Sequence, residues 1–345
     1  MIYRTINIPV FLEIGEGILE DFDGILKKHN LSFSRPLILT GEKSSKVLAG
    51  FDFFKGFEKL FIRENDLETL LGIKSAIYGK GYDVLIACGG GRVIDSGKFL
   101  SLETSLPLVA IPTILSSDSV SSPISILKDN HGTRSMGTVM PMGVLIDVQI
   151  IRTSPEIYLK AGLGDLMSNL SSAYDWELAY KRGFERIDNF SRMLALLPAQ
   201  RILLKTDGYK GLKDEELLAD LAEGLVLSGI SMAIAGSSRP ASGSEHNISH
   251  SLDRILGQQK KLHGLQVGLA TILTLILQGN REQANILSQL YKKTGFPLNL
   301  KELEISCEDF EKALEIAPGL RDRYTVLNEI PIEELKEVAR ARLCK

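Results

Sequence analysis

The stretch that most constrains this chain runs from Tyr82 to Lys98. Tyr82-Asp83-Val84-Leu85-Ile86-Ala87-Cys88 enters Gly89-Gly90-Gly91 directly, and Arg92-Val93-Ile94-Asp95-Ser96-Gly97-Lys98 continues with helical character. A short apolar run bounded by glycine reads as a buried strand. A strand turning straight into a helix is half of a βαβ unit, which implies a parallel sheet. Three successive glycines allow positive φ and let bare backbone approach a ligand closely. The following helix N-terminus offers unpaired N–H groups and partial positive charge, an arrangement that accepts a pyrophosphate. The turn is not a GxGxxG fingerprint, because Ile94 stands where the last glycine belongs. It is not a Walker loop either, because Arg92 replaces the first glycine and Phe99 the hydroxyl residue.

The same alternation extends on both sides. Pro36–Gly41, Lys59–Ile62, Tyr82–Cys88 and Leu108–Thr113 read as strands, with helical segments at Lys43–Phe51, Leu67–Lys80 and Val93–Leu102. Ile124–Lys128 and Val144–Asp147 read as a hairpin-like extension beyond the core sheet. Past Ser154 the strand signals fade. Pro155–Gly183, Leu194–Thr206, Asp214–Ala235, His246–Leu256, Leu265–Gln278, Arg281–Thr294 and Pro331–Leu343 all carry helical periodicity. The expected architecture is therefore a Rossmann-like α/β domain over residues 1–152 and an all-α domain over 153–345, a division that 345 residues can support.

Composition narrows the function classes. The formal net charge is −3, and no basic stripe with interleaved aromatics points to nucleic acid. Cys88, Cys307 and Cys344 are scattered and form no CxxC pair, which fits reduced thiols and argues against a thiolate zinc site. The N-terminal stretch carries charges early and has no leader-like apolar core. The apolar run Leu225–Ala235 is too short for a membrane span. These features predict a cytoplasmic protein without membrane insertion.

Two further segments carry chemistry. Pro112–Pro123 is rich in hydroxyls and has one charge, Asp118; at the carboxyl end of a strand it can bond a phosphate, ribose or polyol, although Ser and Asp also dominate ordinary turns. Gly236–Gly268 holds three of the five histidines. His246 and His250 are spaced i, i+4 and share a helix face, while His263 opens a second helix after a polar break. Imidazole is a common zinc ligand, yet such pairs also occur without metal. Asp165, after Gly162 and Gly164, reads as a helix N-cap or as the oxygen ligand the histidines lack. Arg239 with Ser237, Ser238 and Ser242, just ahead of the histidine helix, are candidates for holding a substrate phosphate.

GGGRVIDSGK, PTILSSDSVSSP, AGLGDLMSN, PASGSEHNISHSLD and LHGLQVG, in this order, resemble the iron-containing alcohol dehydrogenase, glycerol dehydrogenase and dehydroquinate synthase superfamily, and within it the glycerol-1-phosphate dehydrogenases. The resemblance implies that Asp165, His246 and His263 bind a divalent metal, with zinc the first choice and iron or nickel compatible with the same donors. It implies that Asp118 and His250 touch substrate, His250 as a proton relay or hydrogen-bond donor. It places Gly89, Gly90, Gly91, Arg92, Val93, Ile94, Asp95, Thr113, Ser116 and Ser122 along NAD or NADP. Gly41 stands where NAD-dependent relatives often carry an acid, which leaves room for a 2′-phosphate, and Ser117 stands where archaeal relatives usually carry His. The implied reaction interconverts dihydroxyacetone phosphate and sn-glycerol 1-phosphate in a homo-oligomer. An unphosphorylated polyol is the alternative substrate. A dehydroquinate synthase-like lyase ranks below both, because Asp165–Lys181 supplies only Lys181 as a base.

Overall fold

The computed structural model describes residues 8–129 and 132–344, and the chain divides into two compact units between Pro155 and Glu156, against the expected 152/153. The first unit is built on β1 (Phe11–Gly15), α1 (Phe22–Lys28), β2 (Pro36–Thr40), α2 (Glu42–Leu48), β3 (Glu58–Phe61), α3 (Leu67–Ile77), β4 (Val84–Gly89), α4 (Gly91–Thr104) and β5 (Leu108–Pro112). After these come β6 (Ile124–Asp129), β7 (Gly132–Gly137), β8 (Gly143–Asp147) and α5 (Val148–Arg152). Six strands pair in the order β3-β2-β4-β5-β8-β1, all parallel. Every residue of β2, β4, β5 and β8 is buried, which is why they read as continuous apolar runs.

Three elements differ from expectation. Val144–Asp147 lies in the parallel sheet, between β5 and β1, not in a hairpin. The hairpin partner of β6 is β7, whose sequence GTRSMG is almost entirely exposed and so carries no apolar signal. β1 was not expected; its five residues FLEIG lie at a sheet edge and only Phe11 is buried, so no continuous apolar run marks it.

The sheet topology positions the glycine turn. β2 leads through α2 to β3 on one side, whereas β4 leads through α4 to β5 on the other. Connections that diverge in this way leave a crevice at the carboxyl ends of the two strands, where nucleotides bind in doubly wound sheets. Register sets Thr40 beside Cys88 and Gly89 beside Pro112, so the ends of β2, β4 and β5 lie level there.

Lys98, on α4, is fully buried. Its Nζ donates to the carbonyls of Ser119 (2.9 Å), Ser122 (3.2 Å) and Ile124, and pairs with Asp95 Oδ1 at 2.9 Å. Asp95 in turn accepts from Ile126 N. This buried pair clamps the serine loop and the root of the hairpin onto α4.

The second unit is all helix: α6 (Glu156–Met167), α7 (Asn169–Lys181), α8 (Asn189–Leu204), α9 (Glu215–Ala235), α10 (Ser244–Leu256), α11 (His263–Leu277), α12 (Arg281–Thr294), α13 (Cys307–Ile316) and α14 (Ile332–Arg342). α9 is 21 residues long and apolar enough to match a membrane span, but 72% of that apolar window is buried among its neighbours, as in the core helix of a globular unit. α13 escaped the sequence reading because only Phe310, Ala313 and Leu314 of its ten residues are buried. The cysteine reading is also corrected. Cys307 and Cys344 are joined by a disulfide, Cα atoms 5.5 Å apart, tying the start of α13 to the residues after α14, while Cys88 is a buried free thiol. A sequence separation of 37 hid the pairing.

Substituting Lys98→Met leaves Asp95 buried without its cation, and such broken pairs cost about 3–5 kcal/mol. Chemical denaturation should show a loss of that size. A loss under about 1 kcal/mol would mean that the lysine does not hold the loop.

Candidate metal centre and dinucleotide turn

The glycine turn works differently from the sequence expectation. None of Gly89, Gly90 and Gly91 has positive φ; Gly90, the N-cap of α4, lies at φ −81°, ψ −177°. The requirement is space. A Cβ on Gly89 would stand 2.7 Å from Val93 Cγ2, and one on Gly90 would stand 2.8 Å from Ile114 Cδ1. At Gly91 the nearest atoms are the hydroxyls of Ser119 (3.5 Å) and Ser116 (4.0 Å). No side chain caps α4 and its first turn carries no acid, so its N-terminal N–H groups keep their positive potential.

The expected cofactor residues fall into two groups. Gly89, Gly90, Gly91, Thr113 and Ser116 stand at the strand ends, with Thr113 N bonded to Gly89 O at 3.0 Å. Val93, Ile94, Asp95 and Ser122 are buried. Asp95 is spent on Lys98 and Ile126 N, and Ser122 Oγ donates to Ile124 O. The side chains of these four hold the turn and loop. Arg92 extends across the surface, and its Nη1 donates to Arg63 O near the end of β3. Asp118 begins a short 3-10 turn whose carbonyl takes the N–H groups of Ser121 and Ser122.

In the helical unit, Asp165 is not an N-cap. It lies inside α6, two residues before its end, and is buried. The glycines around it serve a helix crossing instead. A Cβ on Gly164 would overlap Gly264 O, one on Gly264 would overlap Ala161 O, and one on Gly268 would stand 2.6 Å from Gly164 Cα. Thus α6 and α11 touch backbone to backbone, which sets Asp165 next to His263, the first residue of α11. His246 comes from α10. Ligand atoms of Asp165, His246 and His263 all lie within 4.8 Å of one another. Both imidazoles present Nε2 to Asp165 Oδ1, at 3.8 Å from His246 and 4.0 Å from His263. Side-chain exposure rises from 6% at Asp165 and 11% at His246 to 37% at His263, so the cluster is open on the His263 side.

The surrounding hydrogen bonds fix which nitrogens are bare. Glu245 Oε1 accepts from Gly243 N (2.7 Å) and lies 2.9 Å from His246 Nδ1, so that nitrogen carries the proton and Nε2 a lone pair. Gln266 Nε2 donates to Asp253 Oδ1, turning Gln266 Oε1 toward Ser249. Ser249 donates to it at 3.4 Å, so its Oγ accepts from His263 Nδ1 at 3.1 Å. Carboxylate- or hydroxyl-oriented imidazoles of this kind characterise metal sites. Burial first, then the charges of Arg321 and Arg323, pushes His246 down to about 3. His263 lies well below its ordinary value through burial, His246 and Arg321. Two neutral imidazoles and one carboxylate are the right donors for a divalent cation and leave coordination positions for water or substrate.

His250 is one turn from His246, with ring centroids 6.2 Å apart, and stacks on His263 at 5.3 Å. Its Nε2 lies 2.7 Å from Arg321 Nη2. A guanidinium only donates, so Nε2 accepts and Nδ1 holds the proton. Burial, His263 and Arg321 lower its pKa far below the neutral range. In this arrangement the ring N–H lies at Nδ1. Arg239 is corrected as a phosphate holder. It is buried, with Nε on Glu185 Oε2 (2.7 Å) and Nη2 on Tyr324 O (2.9 Å), and braces the loop after α13. The guanidinium in contact with His250 is that of Arg321, with Arg323 two residues further along an aperiodic loop that carries no sequence signal.

Two substitutions test the construction. Glu245→Gln should weaken divalent-metal binding about 10- to 100-fold in a competition titration with a chromogenic chelator; unchanged affinity would remove Glu245 from its orienting role. Gly264→Ala should lower stability by about 1–3 kcal/mol or more, because the group it meets is rigid backbone, and should weaken metal binding with it. A variant as stable as the parent would contradict the close crossing.

Residues 13–155 match the model of the iron-containing alcohol dehydrogenase family. Among relatives, the glycerol-1-phosphate dehydrogenase [NAD(P)+] of Thermococcus sibiricus is 34% identical over 95% of this chain and 94% of its own. That of Archaeoglobus fulgidus is 33% identical over 96% and 95%. In fold, the chain superposes on a probable glycerol dehydrogenase from Sinorhizobium meliloti with a TM-score of 0.75 at 19% identity, covering 98% of this chain and 97% of that one. Similarity of this extent along almost the whole length, with a metal-ready cluster in the helical unit, means that the chain belongs to the glycerol-1-phosphate dehydrogenase family of the iron-containing alcohol dehydrogenase superfamily.

Proposed function

We propose that this protein is an NAD(P)-dependent, metal-dependent oxidoreductase that interconverts dihydroxyacetone phosphate and sn-glycerol 1-phosphate. The observation that carries the reading is the convergence of Asp165, His246 and His263, with both Nε2 lone pairs bare and aimed at one carboxylate. Kinship with enzymes named for this reaction and for NAD(P)+ supports it.

Asp165, His246 and His263 would hold the divalent cation, zinc by our assignment, and the α4 N-terminus with Gly89–Gly91 would hold the dinucleotide pyrophosphate. When bound, the cation supplies Lewis-acid stabilisation of negative charge on a carbonyl oxygen, and the nicotinamide supplies the hydride. The chain's own residues do the positioning. Glu245 and Ser249 lock the two ligand imidazoles in the required tautomer. His250, neutral and proton-bearing at Nδ1, offers a hydrogen bond to a substrate oxygen. Asp118 accepts from a substrate hydroxyl. Lys98 keeps the loop bearing Asp118 in place.

The test is nicotinamide absorbance with purified protein, NADH or NADPH, and either dihydroxyacetone phosphate or dihydroxyacetone. Oxidation of the nucleotide by the phosphorylated ketone, abolished by chelator and restored by Zn²⁺, is expected. Turnover of dihydroxyacetone alone would favour a polyol dehydrogenase, and undiminished turnover after complete metal removal would overturn the metal-dependent reading.

A further inference from the structure

The helical unit contains a pair of guanidiniums that, among the described residues, make no direct ion pair with a carboxylate. Arg321 and Arg323 lie in the loop between α13 and α14, half-buried. Arg321 donates to Ser242 Oγ (3.3 Å) and His250 Nε2 (2.7 Å). Arg323 donates to Ser242 O (2.9 Å) and Ser238 Oγ (2.6 Å). All four partners are neutral. Among the described residues, neither guanidinium forms an ion pair, whereas the neighbouring Arg239 is matched by Glu185 at 2.7 Å. Burial, then the charges of Arg321 and Arg239, lower Arg323 to about 10, and Glu185 and Glu245 offset only part of this.

Both arginines line one cavity of about 310 Å³, together with Phe184, Pro318, Tyr324 and Asn328; its two acids are the paired Glu185 and the exposed Asp322. The loop is pinned from below. Val326 N donates to the buried Asp175 Oδ1 (2.9 Å), Tyr324 O takes Arg239, Thr325 N bonds Asn328 Oδ1, and Asn328 Nδ2 bonds Pro318 O. Tyr324 stacks on Phe184, with ring centroids 4.2 Å apart. The guanidiniums are therefore preorganised before any ligand arrives. Arg321 reaches from this cavity to His250, the imidazole stacked on the metal-site His263.

We infer that Arg321 and Arg323 form the subsite for the phosphate of the substrate, a phosphate monoester whose reacting carbon is presented on the other side of His250 to the Asp165–His246–His263 cluster. Two planar five-donor forks suit the three oxygens of a group carrying about −1.5 to −2 charges. The pair would confer the preference for a phosphorylated over a plain ketone. The inference rests on the proposed reaction in one respect only, the identity of the ester; oxyanion binding itself does not depend on turnover.

The decisive variant is Arg323→Gln, which leaves the Arg321–His250 contact in place. In the metal-loaded protein, kcat/KM for dihydroxyacetone phosphate should fall about 10- to 100-fold, while that for dihydroxyacetone stays within about twofold. Inorganic phosphate should bind the parent protein by calorimetry and compete with dihydroxyacetone phosphate, and both effects should weaken by a similar factor in the variant. Arg323→Lys, which keeps the charge but loses the fork, should fall between the two. Equal losses on both ketones at unchanged metal content and melting temperature, or phosphate binding unaltered in both variants, would overturn the subsite. If the parent turns over neither ketone yet binds phosphate through Arg323, the reaction assignment fails and the subsite stands.

Discussion

The site in the helical unit depends on one contact, the crossing of α6 and α11 at Gly164, Gly264 and Gly268. Each of these glycines faces backbone or a packed ring, and each would collide with it if it carried a Cβ. Because the helices meet without side chains between them, Asp165 on one and His263 on the other come within ligand distance. Ordinary helix pairs pack with axes 8–10 Å apart because side chains fill the seam. The glycines remove that filling, and the close approach of Asp165 and His263 follows. The same economy of space governs the glycine turn, where Gly89 and Gly90 admit Val93 and Ile114.

A close crossing brings side chains together but does not decide their chemistry. That comes from the bonds behind them. Glu245 and the Asp253–Gln266–Ser249 chain each place a proton on the Nδ1 atom facing away from Asp165, so both bare nitrogens point the same way. Glu245 is entirely buried, and its Oε2 has no hydrogen-bond partner. Burying a carboxylate in this way is unfavourable unless it meets strong donors. A divalent cation one imidazole away would offset part of that cost through its field. The buried acid and the two neutral rings thus make one arrangement whose donors suit a divalent cation.

How much of this was legible in the sequence differs by residue. β2, β4 and β5 were clear because strands buried on both faces are apolar throughout. β7 was not, because an exposed hairpin strand has no such signature, and β8 was assigned to the wrong partner because five buried residues do not say which strand they adjoin. His246, His250 and His263 drew notice because three of the five histidines fall in one stretch, but spacing alone did not single out His246 and His263; the family resemblance did. Asp165 was found for its chemistry and misplaced in structure: glycines usually end helices, and here they sit within one for the sake of a neighbour. Arg239 was chosen for its nearness in sequence to the histidine helix, yet three-dimensional proximity to His250 belongs to Arg321, 71 positions further on. Loop arginines have no periodicity, and only the fold reveals that among the described residues these two make no direct ion pair.

The two arginines also tie together the two demands on this unit. Their field is among the causes that hold His246 and His250 deprotonated, so the cations that would attract an anionic substrate also keep the imidazoles bare. Lysine would serve less well, since a buried ammonium readily loses its proton. An arriving phosphate would neutralise that field just as the substrate oxygen approaches the ligand cluster, which removes a repulsion between the guanidiniums and the bound cation. Phosphate and metal would then favour one another's binding, and a plain ketone, unable to cancel the guanidinium charge, would forgo that coupling. On electrostatic grounds, the proposed selectivity for a phosphorylated substrate would draw on the same charges that help keep His246 and His250 neutral.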